Sequence, residues 1–255
     1  MSKNSHFYEI VAGADNSRAM ESETIQKNGA SPKSHTSRRN LIYLMTVVLL
    51  LMGTVFTACK KDKDDKNQTE DGVVINGVRW STRNLDKPGT FVANPEDAGM
   101  FYQWNRKVGW SNTDPMINSN GGTTWDNSTP TGNTWEKAND PSPAGWHVPT
   151  LDELRSLIDD TYVTRVWTNI NGIYGYRFTD RATGASTFLP AADFRSDRDG
   201  LLAGGWDINS EGNYWSSTSY DDTDAYYSGF HSKKFGVGYI DNRMRGFSVR
   251  CVADK

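Results

Sequence analysis

Near its C-terminus the chain alternates cleanly between apolar and polar positions. In GFSVRCVA, residues 246–253, Phe247, Val249, Cys251 and Ala253 fall on one side of an extended strand, Ser248 and Arg250 on the other. The pattern predicts a strand with its apolar face turned to a core. A thiol in that setting stays protonated, because burial disfavours the thiolate. Cys251 therefore reads as a core side chain rather than a nucleophile or a ligand. The same two-residue period opens the domain in VVINGVRWST (73–82), where two alternating runs flank Asn76-Gly77. That dipeptide tolerates positive φ and predicts a tight hairpin turn. Between these ends, GYRFTD (175–180), STFLPAADFR (186–195), GNYWSSTS (212–219), AYYSGF (225–230) and GVGYI (236–240) read as short strands.

One segment changes period. In HVPTLDELRSLIDD (147–160), Thr150 is a good N-cap, and Glu153 three positions on completes a capping box. Leu151, Leu154, Leu157 and Ile158 then share a face, which predicts a helix from Leu151 to about Asp159. Residues 109–143 hold neither period and are rich in Trp, Asn, Thr, Gly and Pro. They read as an ordered loop pinned to the core by Trp110, Trp125 and Trp135.

Composition supports a folded domain. All nine tryptophans lie after residue 79, whereas disordered chains are poor in aromatics. The net charge is −3, and the first 58 residues hold six basic and four acidic side chains, so the remainder is more acidic still. That balance offers no footprint for nucleic acid.

The N-terminal quarter reads differently. Residues 41–58, LIYLMTVVLLLMGTVFTA, carry no charge and follow Arg38 and Arg39. A basic flank, an apolar stretch and small residues before a cut site describe a secretory signal. FTAC resembles the lipobox of bacterial lipoproteins, which implies cleavage before Cys59 and acylation of that cysteine. An uncleaved single span is the alternative reading. The polar lead-in before the signal is long, and a start at Met20 would shorten it. With Cys59 lipidated, Cys251 has no partner for a disulfide. Residues 60–72, KKDKDDKNQTEDG, read as a charged tether. A charged run after the lipidated cysteine also resembles the signal that exports lipoproteins to the cell surface in Bacteroidetes-type bacteria. The expected organisation is 1–58 lead-in and signal, 59–72 lipidated cysteine and tether, and 73–255 a single domain in the outer membrane's lipid-anchored layer.

Six motifs occur in a fixed order: GVRWSTRNL (77–85), YQWN (102–105), DPSPAGWHVPTLDEL (140–154), LPAADFR (189–195), GNYWSSTS (212–219) and RGFSVRCV (245–252). Together they resemble the Fibrobacter succinogenes major paralogous domain, a family of secreted bacterial domains often carried on lipoproteins. That family in turn resembles the C-type lectin-like fold, in the branch shared with formylglycine-generating enzymes and the variable proteins of diversity-generating retroelements. The resemblance implies an α+β, C-type lectin-like domain with short twisted antiparallel sheets, few helices and long Trp- and Gly-rich loops. Its first and last strands would pair, and the stretch between WSST and GFSVRCV would be the display surface.

That stretch, residues 220–242, is rich in Tyr, Asp, Ser, Gly and Asn, a palette suited to recognition. Tyr220, Asp222, Tyr227, His231, Tyr239 and Asn242 are the expected ligand contacts, with a surface glycan or protein as partner. Tyr226 and Phe230 have an alternative reading as inward-packing strand residues. No cofactor is expected. Calcium is the one metal to weigh, with Asp221, Asp222 and Asp224 as weak candidate ligands, since six to eight oxygens must converge. Catalysis is not expected. The fold's oxidases need a cysteine pair for copper, and only Cys251 lies in the domain. No G-x-S-x-G elbow is present, and His147 reads as a structural corner. Asp193, Asp197 and Asp199 read as loop carboxylates rather than a glycosidase pair. The expected function is a displayed, non-catalytic binding domain; the alternatives are a self-assembling envelope protein and, third, a glycan-processing enzyme.

Overall fold

The computed structural model describes residues 68–69, 72–204 and 210–255. The signal-like run, Cys59 and most of the charged tether lie outside the described residues. No helix among those described is long and apolar enough to cross a membrane.

The described chain is mostly small antiparallel sheets. A five-stranded sheet gathers both ends of the domain: β1 (Gln68–Thr69), β2 (Gly72–Ile75) and β3 (Val78–Ser81), which meets the last strand, Val252–Ala253. Gln68 and Thr69 pair with Val73 and Gly72, so the sheet reaches back into the segment that composition assigns to a tether. The hairpin turn between β2 and β3 has Asn76 at φ 47° and Gly77 at φ 75°. Two consecutive positive φ values are what a two-residue hairpin of matching twist requires.

Two short strands, β4 (Phe101–Tyr102) and β5 (Gly109–Trp110), pair with each other. The following loop is ordered as expected, with Trp110, Trp125 and Trp135 all buried. β6 (Trp146–His147) then joins the outer side of the last strand. The helix α1 spans Leu151–Ser156, shorter than predicted. Its capping box is intact: the Thr150 hydroxyl accepts from Glu153 N–H at 3.3 Å, and Glu153 Oε2 accepts from Thr150 N–H at 2.8 Å. Leu157 and Ile158 instead donate to carbonyls three residues back, at 3.2 and 3.0 Å, a tightening that ends the α-helix. Among the described residues, the helical part of the expected α+β class is this one element.

A three-stranded sheet follows, from β7 (Val163–Ile170), β8 (Ile173–Asp180) and β9 (Ser186–Pro190). Its first turn, Asn171 at φ 49° and Gly172 at φ 91°, repeats the Asn-Gly solution of the first hairpin. β10 (Phe194–Arg195) and β11 (Leu202–Ala203) make a small ladder. A second three-stranded sheet comprises β12 (Glu211–Ser219), β13 (Asp224–His231) and β14 (Lys234–Asn242). β15 (Val252–Ala253) closes the chain, with Val252 opposite Trp80 and His147.

The core forms two clusters. One joins Trp80, Leu154, Leu157, Phe178, Leu189, Tyr214, Phe230 and Val252 across the sheets, and the other gathers Trp104, Trp135, Trp215, Phe247, Val249 and Cys251. The expected C-terminal strand is buried on both sides: Ser248 and Arg250, like Val249 and Cys251, have no exposed surface. Only its last two residues form a continuous ladder, while Gly246, Phe247 and Ser248 make isolated bridges to Arg195, Tyr102 and Tyr214.

Three fully buried arginines do in the loops what ladders do in sheets. Arg250 donates to Phe188 O at 2.6 Å, and Arg195 to Ser111 O, Thr113 O and Gly200 O at 2.6–2.7 Å. Arg243 donates to Pro130 O and Gly132 O at 3.1 and 2.9 Å, also to Asp221 O, with its guanidinium carbon 4.1 Å from the Trp104 ring centroid. A guanidinium suits this work because its five fixed donors satisfy several loop carbonyls at once, and burying those carbonyls unpaired would be costly.

Candidate functional site

The β12–β13–β14 sheet has two unlike faces. Tyr214, Phe230, Phe235 and Val237 pack into the first core cluster. The other face, by alternation, carries Glu211, Asn213 and Trp215 on β12, Tyr227, Gly229 and His231 on β13, and Lys234, Gly236 and Tyr239 on β14. Trp215 lies opposite Tyr227, and Tyr227 opposite Tyr239, so three aromatic residues run in a row from the buried interior to the rim. The Tyr227 and Tyr239 rings lie 5.7 Å apart at an interplanar angle of 43°.

Register sets the aim of Tyr239. Tyr227 pairs with Tyr239 but Ser228 with Val237, which leaves Gly238 as the extra residue of a β-bulge, at φ 86°. A bulge re-aims the neighbouring side chain, and the left-handed backbone favours glycine there. Gly229 and Gly236 then leave room for the ring. A β-carbon at Gly236 would meet the Tyr239 hydroxyl at 2.5 Å, and one at Gly229 would come within 3.3 Å of Tyr239 Cδ2.

Above these glycines lies a cavity of about 230 Å³, bordered by Glu211, Asn213, Tyr227, His231, Lys234 and Tyr239. Asn213 Nδ2 donates to Glu211 Oε1 at 3.1 Å, and Lys234 Nζ stands 5.3 Å from the Tyr239 centroid. Burial pushes the Glu211 carboxyl above its usual range, against the opposing effect of the Asn213 hydrogen bond. Burial likewise raises the Tyr227 phenol to about 12, with the Asp241 carboxylate adding to the shift. The Tyr227 phenol therefore keeps its proton near neutral pH and can both donate and accept a hydrogen bond.

The six expected contacts divide. Tyr227, His231 and Tyr239 border the cavity. Tyr220, Asp222 and Asn242 lie at the opposite end of the same strands, where Asn242 pairs with Asp224. Tyr220 is exposed and meets Tyr226 edge-on at 5.5 Å. Of the two alternative inward residues, Phe230 is buried and Tyr226 only half-buried. Glu211, Asn213 and Lys234 were not expected as cavity residues. Asn213 belongs to the segment 212–219 that reads as scaffold and Glu211 just precedes it; their alternation with buried Tyr214 marks a second face.

The candidate calcium ligands do not converge. Asp221 Oδ1 accepts from Thr223 N–H and Asp224 N–H, both at 2.8 Å, and so closes its own turn. Among the described residues no group of three or more His, Cys, Asp or Glu is placed to hold a metal. Asp199 Oδ1 similarly accepts from Leu201 N–H within a turn. Asp193 is buried with φ 59°, while Asp197 faces Arg245 at 4.0 Å.

Cys251 and His147 are tied into the fold by their contacts. Cys251 is buried, its thiol 3.2 Å from Ser142 Oγ and pushed up to about 12 by burial. His147 bridges the helix cap to the chain end, with Nε2 3.3 Å from Glu153 Oε2 and Nδ1 2.8 Å from Asp254 Oδ1. A larger cleft of about 530 Å³ is lined in part by Asp86, Glu96, Asp97 and Ile173. Two of its carboxylates are occupied: Asp97 accepts from Asn94, and Glu96 from Asn171. The cavity beside Tyr239 is the smaller of these two, and its lining combines aromatic rings with acidic, amide and basic side chains.

No family model matches the chain, and no curated protein or solved structure matches it.

Proposed function

We propose that this chain is a cell-envelope lipoprotein, acylated at Cys59, whose domain is a non-catalytic binding module displayed in the outer membrane. The observation that carries the reading is the open face of the last sheet, where Tyr227, His231 and Tyr239 border one cavity beside Glu211, Asn213 and Lys234. Amphipathic rings give rigid contact area and the polar groups give orientation, the usual division of labour in a recognition surface. The partner is a surface glycan or protein. A C-type lectin-like domain of the Fibrobacter succinogenes major paralogous type is the finer fold reading. Pairing of the last strand with β3, scarcity of helix and long Trp-held loops support it.

The test is a binding screen of the full chain, in a detergent without a sugar headgroup, on glycan and surface-protein arrays with and without calcium. A hit abolished by Tyr239→Ala supports the reading. A folded chain that binds nothing and instead forms concentration-dependent oligomers would replace it with a self-assembling envelope protein.

A further inference from the structure

Resting on that reading, we infer that the cavity beside Tyr239 is a metal-independent subsite for one uncharged sugar ring. The C–H face of the ring lies against Tyr239 and Tyr227, and neighbouring hydroxyls bond to Glu211, Asn213 and Lys234.

Three observations favour a sugar over a peptide. The first is size. At about 230 Å³ the cavity is smaller than the roughly 300–1,000 Å³ of drug-sized pockets, and it suits one ring rather than an extended segment. The second is shape. Gly229 and Gly236 let the Tyr239 ring lie close over the backbone, where the closest approach to a β-carbon at Gly236 would be 2.5 Å. The cavity is thereby flanked by the rings of Tyr239 and Tyr227, flat faces against which the C–H face of a sugar ring can lie. The third is the polar set. Glu211 and Asn213 are joined at 3.1 Å and present acceptor and donor atoms side by side, the spacing that two adjacent hydroxyls need. Lys234 adds a mobile donor at the rim.

The charge pattern argues for an uncharged ring. Glu211 on β12 and Lys234 on β14 give the cavity one acidic and one basic side chain, so its lining favours neither sign of charge in a ligand. The lining supplies its own hydrogen-bond partners, and hydroxyls bound by a carboxylate–amide pair need no bridging cation.

The test uses the full chain in a detergent without a sugar headgroup, with uncharged, sialylated and sulfated glycans on one array and peptides on another. Every measurement is repeated in EDTA. Methyl glycosides of glucose, galactose and mannose then serve as soluble probes by ligand-observed NMR. Uncharged glycans that bind equally in EDTA, with affinity down at least tenfold in Tyr239→Ala and several-fold in Glu211→Gln, are the expected result. Tyr220→Ala, at the far end of the strands, serves as the control and leaves binding unchanged. Should Tyr239→Ala lower the unfolding midpoint, Tyr239→Phe and Glu211→Gln carry the test. The former keeps binding and the latter weakens it at unchanged stability. Loss of binding in EDTA, or preference for sulfated or sialylated glycans, overturns the inference. So does binding abolished by Tyr220→Ala but not by Tyr239→Ala, which leaves the displayed-binder reading intact. Peptide binding alone has the same effect, whereas a folded chain that binds neither array overturns both.

Discussion

The ring of Tyr239 lies over the backbone of Gly236, with room for no β-carbon between them: one added at Gly236 would meet the phenol oxygen at 2.5 Å and two ring carbons at 2.7 Å. Gly236 is not at positive φ, so alanine is compatible with its backbone. The clash falls on the far end of a half-exposed side chain, which can move. Gly236→Ala is therefore expected to swing Tyr239 away from the cavity at a cost to stability of about 1 kcal/mol or less. Ligand affinity should fall several-fold while the urea midpoint barely moves, and titration of both chains with an array hit checks this.

Arg243 should prove far less replaceable. Its guanidinium is buried against Trp104 and joins the loop carbonyls of Pro130 and Gly132 to that of Asp221. Arg243→Met keeps the stem but orphans the buried Pro130 carbonyl, while the carbonyls of Gly132 and Asp221 are only part-buried. A loss of about 1–3 kcal/mol, the cost of a buried group left unpaired, is expected from urea unfolding. Arg243→Lys should recover only a fraction, because an ammonium cannot span the same fork of acceptors.

The His147 bridge makes stability depend on pH in a definite direction. Hydrogen bonding to Glu153, opposed by burial and aided by Asp254, raises His147 above its ordinary 6.5. Its contribution is then complete below about 6.5 and is lost as pH rises through the raised value. Glu153 is held below its ordinary 4.5; burial opposes the shift, and the bonds to His147 and Thr150 prevail. Its contribution is present above about 4.5 and is lost as pH falls through the lowered value. The stability difference between the parent chain and His147→Gln should therefore be largest between about pH 4.5 and 6.5. Urea unfolding of both chains across pH 3.5–9 measures it, and a difference that grows above pH 8 would contradict the assignment.

Cys251 is expected to be inert while the chain is folded. With the thiol buried and raised to about 12, a maleimide at pH 7 should label it only at the rate of global unfolding, and in urea at the rate of an ordinary thiol. Quantified mass spectrometry of the tryptic peptide checks both limits.

For Cys59 the expectation is covalent lipid. Cells fed an alkyne-bearing palmitate analogue should tag the chain, and Cys59→Ala should abolish the tag and retain the uncleaved, heavier form. A Cys59→Ala chain that still carries the tag would point to another anchor.

The parts of this fold legible in the sequence are those fixed by near neighbours. Asn76-Gly77 predicts its turn because two positive φ values are needed in consecutive residues, and Thr150 with Glu153 predicts its cap because the two groups are three residues apart. The signal for the β7–β8 hairpin was equally local, Asn171-Gly172 between Ile170 and Ile173, but the strand before it was not anticipated. The helix end was misplaced because the apolar periodicity of Leu157 and Ile158 persists through a turn of tighter bonds. At the candidate site, composition singled out the segment 220–242 but not which of its residues meet.

What the sequence determined by itself, then, is the local geometry: hairpin turns, the capped helix, and the core-facing side of Cys251 through its two-residue period. Only the tertiary structure decided that Ser248 and Arg250 are buried as well, since burial of a strand's second face depends on which distant segment covers it. For Arg250 that cover includes Phe188, whose carbonyl it meets. The cavity is decided in the same way. A single extra residue at Gly238 shifts the β14 register, and that shift puts Tyr239 beside Tyr227 and within reach of Glu211 and Asn213. Tyr220 and Asn242 stay at the far end because strands of eight and nine residues rise about 3.3 Å per residue. Residues close in composition and in sequence are thereby held too far apart to serve one small ligand.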